Sequence, residues 1–241
     1  MEYTPVYETG NGGSIPSSGA ITSIKYSMEY KIKSVFGPKI YKSCLDKDVV
    51  DMLKIVAEQS KEAKAFIGHK LAGNLEQQLE THFKPDQRQQ FLQAIYDHVH
   101  ACVVEFDKDQ EKIFKNGNIS NLVYNLGGGP WLNVTRAGEF NPTHQHNGEL
   151  SVVVYIDIPE AIAEENKNRH SEIKQPVAGV IAFIHGDETF WHRSIDHYQP
   201  KTGDILIFPA SLKHEVYPFK SDVERISMSF NIYDIKPVDG P

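Results

Sequence analysis

Cysteine is nearly absent from this 241-residue chain, which carries only Cys44 and Cys102, far apart and outside any metal-type pair. That excludes a small domain stapled by disulfides and a zinc cluster built on thiolates, and it fits a reducing, cytoplasmic setting. Neither thiol has neighbours that would activate it, so each reads as a small buried apolar residue. Long apolar runs are missing as well, so no segment reads as a membrane span. The opening "MEYTPVYETGNGGSIPSSGAI" has neither the basic start nor the apolar core of a signal peptide. Its Gly, Ser and Pro content reads as a flexible segment over residues 1–28. There is no basic excess: 25 Lys and Arg stand against 32 Asp and Glu, a formal net charge of −7. An acidic balance disfavours nonspecific grip on nucleic acid or anionic lipid. No feature of the sequence sets an oligomeric state.

What is present falls into two zones of one domain over residues 29–241. Val49, Val50, Leu53, Val56 and Ala57 recur at helical spacing, with Asp46 or Asp48 as N-cap. Ile67, Leu71, Leu75, Leu79 and Phe83 follow at intervals of four. Phe91, Ile95, Val99, Val103 and Phe106 begin after Pro85. These sets predict three amphipathic helices between about residues 46 and 107, with His98 and His100 at the surface or core edge of the third. Beyond Lys115 the pattern changes. "SNLVYNL", "WLNVTRA", "LSVVVYIDI", "VAGVIAFI", "DILIFPA", "HEVYPF" and "RISMSFNI" are short, rich in β-branched and aromatic residues, and separated by Gly, Pro, Asn or Asp. They predict a jelly roll over about residues 120–234, with the helices packed on the outer face of one sheet, an α+β arrangement. The charged stretch "EAIAEENKNRHSEIKQ", residues 160–175, reads as an exposed insertion.

Three features carry chemistry. In "NPTHQHNGELSVVVYI", His144 and His146 are two apart, and residues two apart on a strand face the same way. Both imidazoles could address one metal ion. "PKTGDILIFPASLKHEVYPF" adds His214 after a Gly203–Asp204 turn, an apolar strand and the Pro209 break. A third imidazole from a distant segment would leave open positions on the ion. "FKSDVERISMSFNI" sets Arg225, Ser227, Ser229 and Asn231 on one strand face and Ile226, Met228 and Phe230 on the other. A hairpin centred on Lys220 and Ser221 would bring Ser227 opposite His214. An interior arginine needs a counter-charge, and a bound carboxylate supplies one. The competing placement turns Arg225 outward to Asp222 or Glu224.

Together these stretches resemble the iron(II)/2-oxoglutarate-dependent oxygenases, in particular a 2OG-Fe(II) oxygenase family with a His-x-His motif. The likeness runs through Asn133 to Gly138, His144-Gln-His146, "LSVVVY", "GDILIFPASLKHEV" and "RISMSFNI", covering about residues 122–232. It implies a double-stranded β-helix around Fe(II), with 2-oxoglutarate and O2 as co-substrates. His144 and His214 would be metal ligands, Arg225 would bind the distal carboxylate of 2-oxoglutarate with Ser227 assisting, and Asn133 would touch the co-substrate. Most of the superfamily has Asp or Glu two residues after the first histidine. This chain has His146 there, with Glu149 as a rival third ligand. The implied reaction is hydroxylation of a C–H bond, with release of succinate and CO2. The substrate would be a protein side chain or a small molecule, and the acidic charge makes a nucleobase the least favoured target. Trp131, Phe183, Phe190 and Trp191 are candidates for an apolar wall, and His185 and His192 for substrate contacts.

Two other readings share these residues. Gly138, His144, His146 and Glu149, then Gly203, Pro209 and His214, partly follow the two cupin motifs, although the first is short and Ser211 and Pro218 break the second. A cupin-type metalloprotein needs no 2-oxoglutarate and gives Arg225 no role. A jelly roll can also be a binding or structural module without catalysis.

Overall fold

A computed structural model describes residues 37–67, 77–108, 121–169 and 176–238. The expected flexible segment 1–28 lies outside them, as do residues 68–76 of the expected second helix and 170–175 of the expected insertion. The ordered elements are β1 (Tyr41–Cys44), α1 (Lys47–Ala63), β2 (Gln77–Glu80), α2 (Pro85–Asp107), β3 (Asn121–Thr135), β4 (Asn141–His144), β5 (Leu150–Asp157), α3 (Glu160–Arg169), β6 (Ile181–Ile184), β7 (Ile195–Tyr198), β8 (Asp204–Pro209), β9 (Lys213–Val216) and β10 (Arg225–Val238).

The strands pair antiparallel into a six-stranded sheet, β1-β8-β5-β10-β3-β2, and a four-stranded sheet, β4-β9-β6-β7. The large sheet is buried on both faces, and its strands divide their apolar residues by the two-residue period of the pleat. On β5, Val152, Val154 and Ile156 pack with the helices, whereas Val153 and Tyr155 face the small sheet. β8 repeats the division, with Ile205 and Ile207 on one side and Leu206 and Phe208 on the other. β10 turns Ile226, Met228, Phe230 and Ile232 towards α1 and α2. This is the double-stranded β-helix with helices on the outer face of one sheet.

α1 buries Val49, Val50, Leu53, Val56 and Ala57 on one stripe. Asp46 is its N-cap residue but makes no side-chain capping bond. α2 starts on Pro85, whose missing N–H costs nothing at a helix start, and the Gln87 side chain accepts the Lys84 N–H at 2.8 Å. Phe91, Ile95, Val99, Cys102 and Val103 are its buried stripe. His98 meets the Tyr41 hydroxyl at 3.1 Å, and His100 stacks on Tyr96.

Four expectations are corrected. Residues 77–80, assigned to a helix by the spacing of Leu75, Leu79 and Phe83, are the edge strand β2. Leu79 is buried on either reading, so spacing alone could not separate them. Residues 160–169 are not simply an exposed insertion: they form α3, which buries Ile162 against Ala178 and Phe219. Cys44 is exposed, because it ends the edge strand β1 on the outward side of the pleat. The β9–β10 hairpin does not form, since β9 pairs with β4 and β6 while β10 pairs with β3 and β5. In addition, "SNLVYNL" and "WLNVTRA" are one strand. Gly128 and Gly129, at φ 72° and 79°, absorb the extra residues opposite the register shift between Ser229 and Asn231.

Leu53 is fully buried where α1 meets the sheet, and Ile55 on the same helix is 55% exposed. Leu53→Ala should cost about 2–5 kcal/mol in denaturant unfolding, whereas Ile55→Ala should stay within about 0.5 kcal/mol.

Candidate metal and co-substrate site

The space between the sheets is lined from both sides. From the small sheet, His144 on β4 and His214 on β9 are direct cross-strand partners, with ring centroids 4.2 Å apart. His146 follows in the β4–β5 turn. Its backbone N–H donates to the Ala210 carbonyl at 2.9 Å, and the Ala210 N–H donates to the Glu149 carbonyl at 3.1 Å. These two bonds lash the turn carrying His146 to the turn leading into His214. As a result one ring nitrogen from each of His144, His146 and His214 lies within 4.8 Å of the others, a set that could hold a metal ion.

The imidazoles are prepared as donors to a cation. The Nδ1 atoms of His144 and His214 sit 2.7 Å and 2.9 Å from the carbonyls of Pro142 and Leu212. A carbonyl only accepts, so each Nδ1 carries the proton and each Nε2 keeps its lone pair. That of His144 meets the Asn141 side-chain amide at 3.3 Å. Burial pushes the His214 pKa down to about 3, with His144 adding repulsion, and that of His146 to about 4, again with His144 contributing. His144 is lowered by burial too. All three are neutral at pH 7, as metal ligation requires. The Glu149 carboxylate is engaged elsewhere, accepting the Ile235 N–H at 2.8 Å, and is not part of the imidazole cluster.

The large sheet supplies the opposite wall. Its register aligns Tyr155, Ser227, Asn133 and Gln78 in one row across β5, β10, β3 and β2, and all four side chains line the cavity. Arg225 and its partner Thr135 form the adjacent row. Arg225 is 3% exposed, with its guanidinium carbon 5.2 Å from the centroid of the Tyr155 ring. Its Nε and the Tyr155 hydroxyl have no hydrogen-bond partner. Burial lowers the Arg225 pKa and raises that of Tyr155 to about 12, each opposed by the other group. The acids at positions 222 and 224 do not reach Arg225. Glu224 is bound instead by Lys61 at 2.9 Å and Arg136 at 2.7 Å.

Tyr155, Thr135, Gln78 and Asn141 were not singled out from the sequence. Tyr155 stood in plain view in "LSVVVYI", but its place beside Arg225 depends on a strand register that no spacing reveals. Of the aromatic candidates, Trp131 lines the cavity and Phe183 is buried against Phe208 and His214. Phe190 and Trp191 are 88% and 91% exposed and form no wall. His185 and His192 do not line the cavity, and the Nδ1 of His192 bonds the Asp187 carbonyl.

Residues 129–231 match the family described as "Putative 2OG-Fe(II) oxygenase". This segment, under half of the 241-residue chain, is similar to the 2OG-Fe(II) oxygenases. The family's description names Fe(II) and 2-oxoglutarate. No curated protein matches the sequence. Among solved structures, a Pseudomonas putida prolyl-4-hydroxylase is similar at 15% identity and a TM-score of 0.50, over 80% of this chain and 91% of that one. A Trichoplax adhaerens prolyl hydroxylase in complex with a hypoxia inducible factor peptide fragment is similar at 13% identity and a TM-score of 0.50, over 82% and 84% of the chains. HygX from Streptomyces hygroscopicus, with nickel, 2-oxoglutarate and hygromycin B bound, is similar at 10% identity and a TM-score of 0.50, over 82% of each. At these identities the likeness is one of fold. No helix among the described residues is long and apolar enough to cross a membrane.

Glu224 holds Lys61 and Arg136 outside the cavity between the sheets, and these cations keep its carboxyl below the usual carboxylate range. Its contribution to stability is therefore present above the ordinary carboxylate pKa and lost as pH falls through the lowered one. Because Glu224 is more than a third exposed, Glu224→Gln should cost no more than about 1 kcal/mol at pH 7. Denaturation curves of the two proteins should converge below the carboxylate range.

Proposed function

We propose that the chain is an Fe(II)- and 2-oxoglutarate-dependent dioxygenase that hydroxylates a C–H bond of a protein side chain or small molecule. The observation that carries this reading is the buried Arg225. Its guanidinium has an unsatisfied Nε and no carboxylate partner among the described residues, and it shares one cavity with three clustered neutral imidazoles. A dicarboxylic keto acid answers both needs, with one end for the ion and the other for the guanidinium.

His144, His146 and His214 are the proposed metal ligands, in preference to Glu149. Arg225 receives the distal carboxylate by charge-assisted hydrogen bonds, with Ser227 and the free Tyr155 hydroxyl beside it. Asn133 is the proposed further contact, oriented by Gln78, which donates to it at 2.7 Å, and by Ser229, which accepts from it at 3.2 Å. The bound ion and co-substrate supply the oxidant: one atom of O2 oxidises the keto acid to succinate and CO2, and the other enters the substrate C–H bond. The protein's own part is to position these groups and exclude water. A cupin-type centre would leave Arg225 without a purpose, and removal of its charge would then be neutral for function.

Removing an unpaired buried charge should leave the metal-free protein as stable or more stable. Arg225→Leu should therefore fold. In anaerobic calorimetry of the iron-loaded protein, its 2-oxoglutarate uptake should fall at least about 100-fold, the scale of a lost charge-assisted pair. Undiminished uptake would defeat the assignment. His214→Ala should abolish the rise in melting temperature that Fe(II) gives the unsubstituted protein.

A further inference from the structure

A second cavity, of about 470 Å³, opens beside the first and shares Gln78, Trp131 and His146 with it. Its volume lies in the range of sites that hold a small organic molecule or a few residues of a chain. Its remaining polar lining is Gln145, Asn147 and Asn231, and Tyr233 adds an aromatic face. Among the described residues, no lysine, arginine, aspartate or glutamate lines it.

Two of its amides are committed on one side only. Gln78 is 1% exposed and gives its Nε2 to Asn133, which leaves its Oε1 buried without a donor. Asn231 has its carbonyl oxygen taken by the Ser151 hydroxyl at 2.8 Å, so its N–H groups are what it can offer. The Tyr233 ring lies against two glycines. A Cβ built on Gly127 would lie 2.3 Å from it, and one on Gly148 3.3 Å. Only glycine leaves the ring this seat.

Building on the oxygenase reading, we infer that this cleft binds the molecule to be oxidised, and that the molecule is uncharged and carries both a hydrogen-bond donor and an acceptor. The orphaned Gln78 oxygen requires a donor. The Asn231 amide requires an acceptor. Trp131 and Tyr233 supply apolar faces. An ionic group would lose its hydration here and find no counter-charge among the described lining residues. Carboxamides and hydroxyls both meet these terms, the first in peptide-like chains and the second in polyols.

The probes are N-acetylalaninamide and methyl glucoside, each with its anionic counterpart, N-acetylalanine and methyl glucuronide. Saturation-transfer NMR is run on the full chain loaded with Zn(II), which nitrogen sites accept readily, and 2-oxoglutarate. The expected result is binding of one neutral probe, at least about tenfold tighter than its anion, and the probe that binds names the source. Tyr233→Ala should weaken it at least about fivefold. Asn147→Lys, at an exposed turn, should reverse the preference towards the anion. Equal or tighter binding of the anions by the unsubstituted protein, indifference to both substitutions, or no retention of either neutral probe overturns the inference. Calorimetric 2-oxoglutarate uptake by the same unsubstituted sample reads the oxygenase assignment separately.

Discussion

The pleat of β10 fixes which side chains reach the cavity between the sheets. Ile226, Met228, Phe230 and Ile232 must be buried beneath α1 and α2, and burying each is worth about 1.5–3 kcal/mol. Because neighbours on a strand point to opposite faces, that packing forces Arg225, Ser227 and Ser229 into the space between the sheets. An isolated buried guanidinium is expensive, and it is tolerated here because the apolar face on the other side outweighs it. Glu224, next in the chain, points outward to Lys61 and Arg136 by the same alternation, so it cannot relieve the charge. The strain of that unmet charge is what a bound diacid would relieve.

The second constraint is the tie between two turns. His144 and His214 meet through strand register, but His146 stands in a turn, where side chains are less determined. The reciprocal backbone bonds of Ala210 with His146 and Glu149 fix that turn against the one before β9. Glu149 is drawn away by the Ile235 N–H, so the same segment that delivers one imidazole withdraws the nearest acid. Backbone hydrogen bonding, at some distance from the cluster, thus sets which of the two side chains joins the imidazoles.

Much of this was legible in the chain because it depends on periods of two. The facing of Arg225, the apolar back of β10, the His144–His146 pair and the helical stripes of α1 and α2 all follow from local repeats. What could not be read was set by long-range partners. The pairing of β9 with β4 and β6, not with β10, is decided by which sheet each strand joins. A short apolar run such as Gln77–Glu80 fits helix or strand until β3 is beside it. Tyr155 and Gln78 enter the cavity only because three registers align them with Ser227 and Asn133. The pattern in "SNLVYNLGGGPWLNVTRA" suggested two strands because a run of glycines usually ends one, and here Gly128 and Gly129 form a bulge within it.

The charges of the proposed assembly decide its selectivity. Three neutral imidazoles leave a divalent ion with its full charge. One carboxylate of the diacid lowers that by one, and Arg225 cancels the other carboxylate. A centre with an acid in place of His146 would end neutral, whereas this one keeps a positive unit. On that proposal a cationic substrate would be repelled, and an anionic one would shed water into a cleft with no basic residue among its described lining. The neutral amides of Gln78, Gln145, Asn147 and Asn231 are the complement that avoids both penalties.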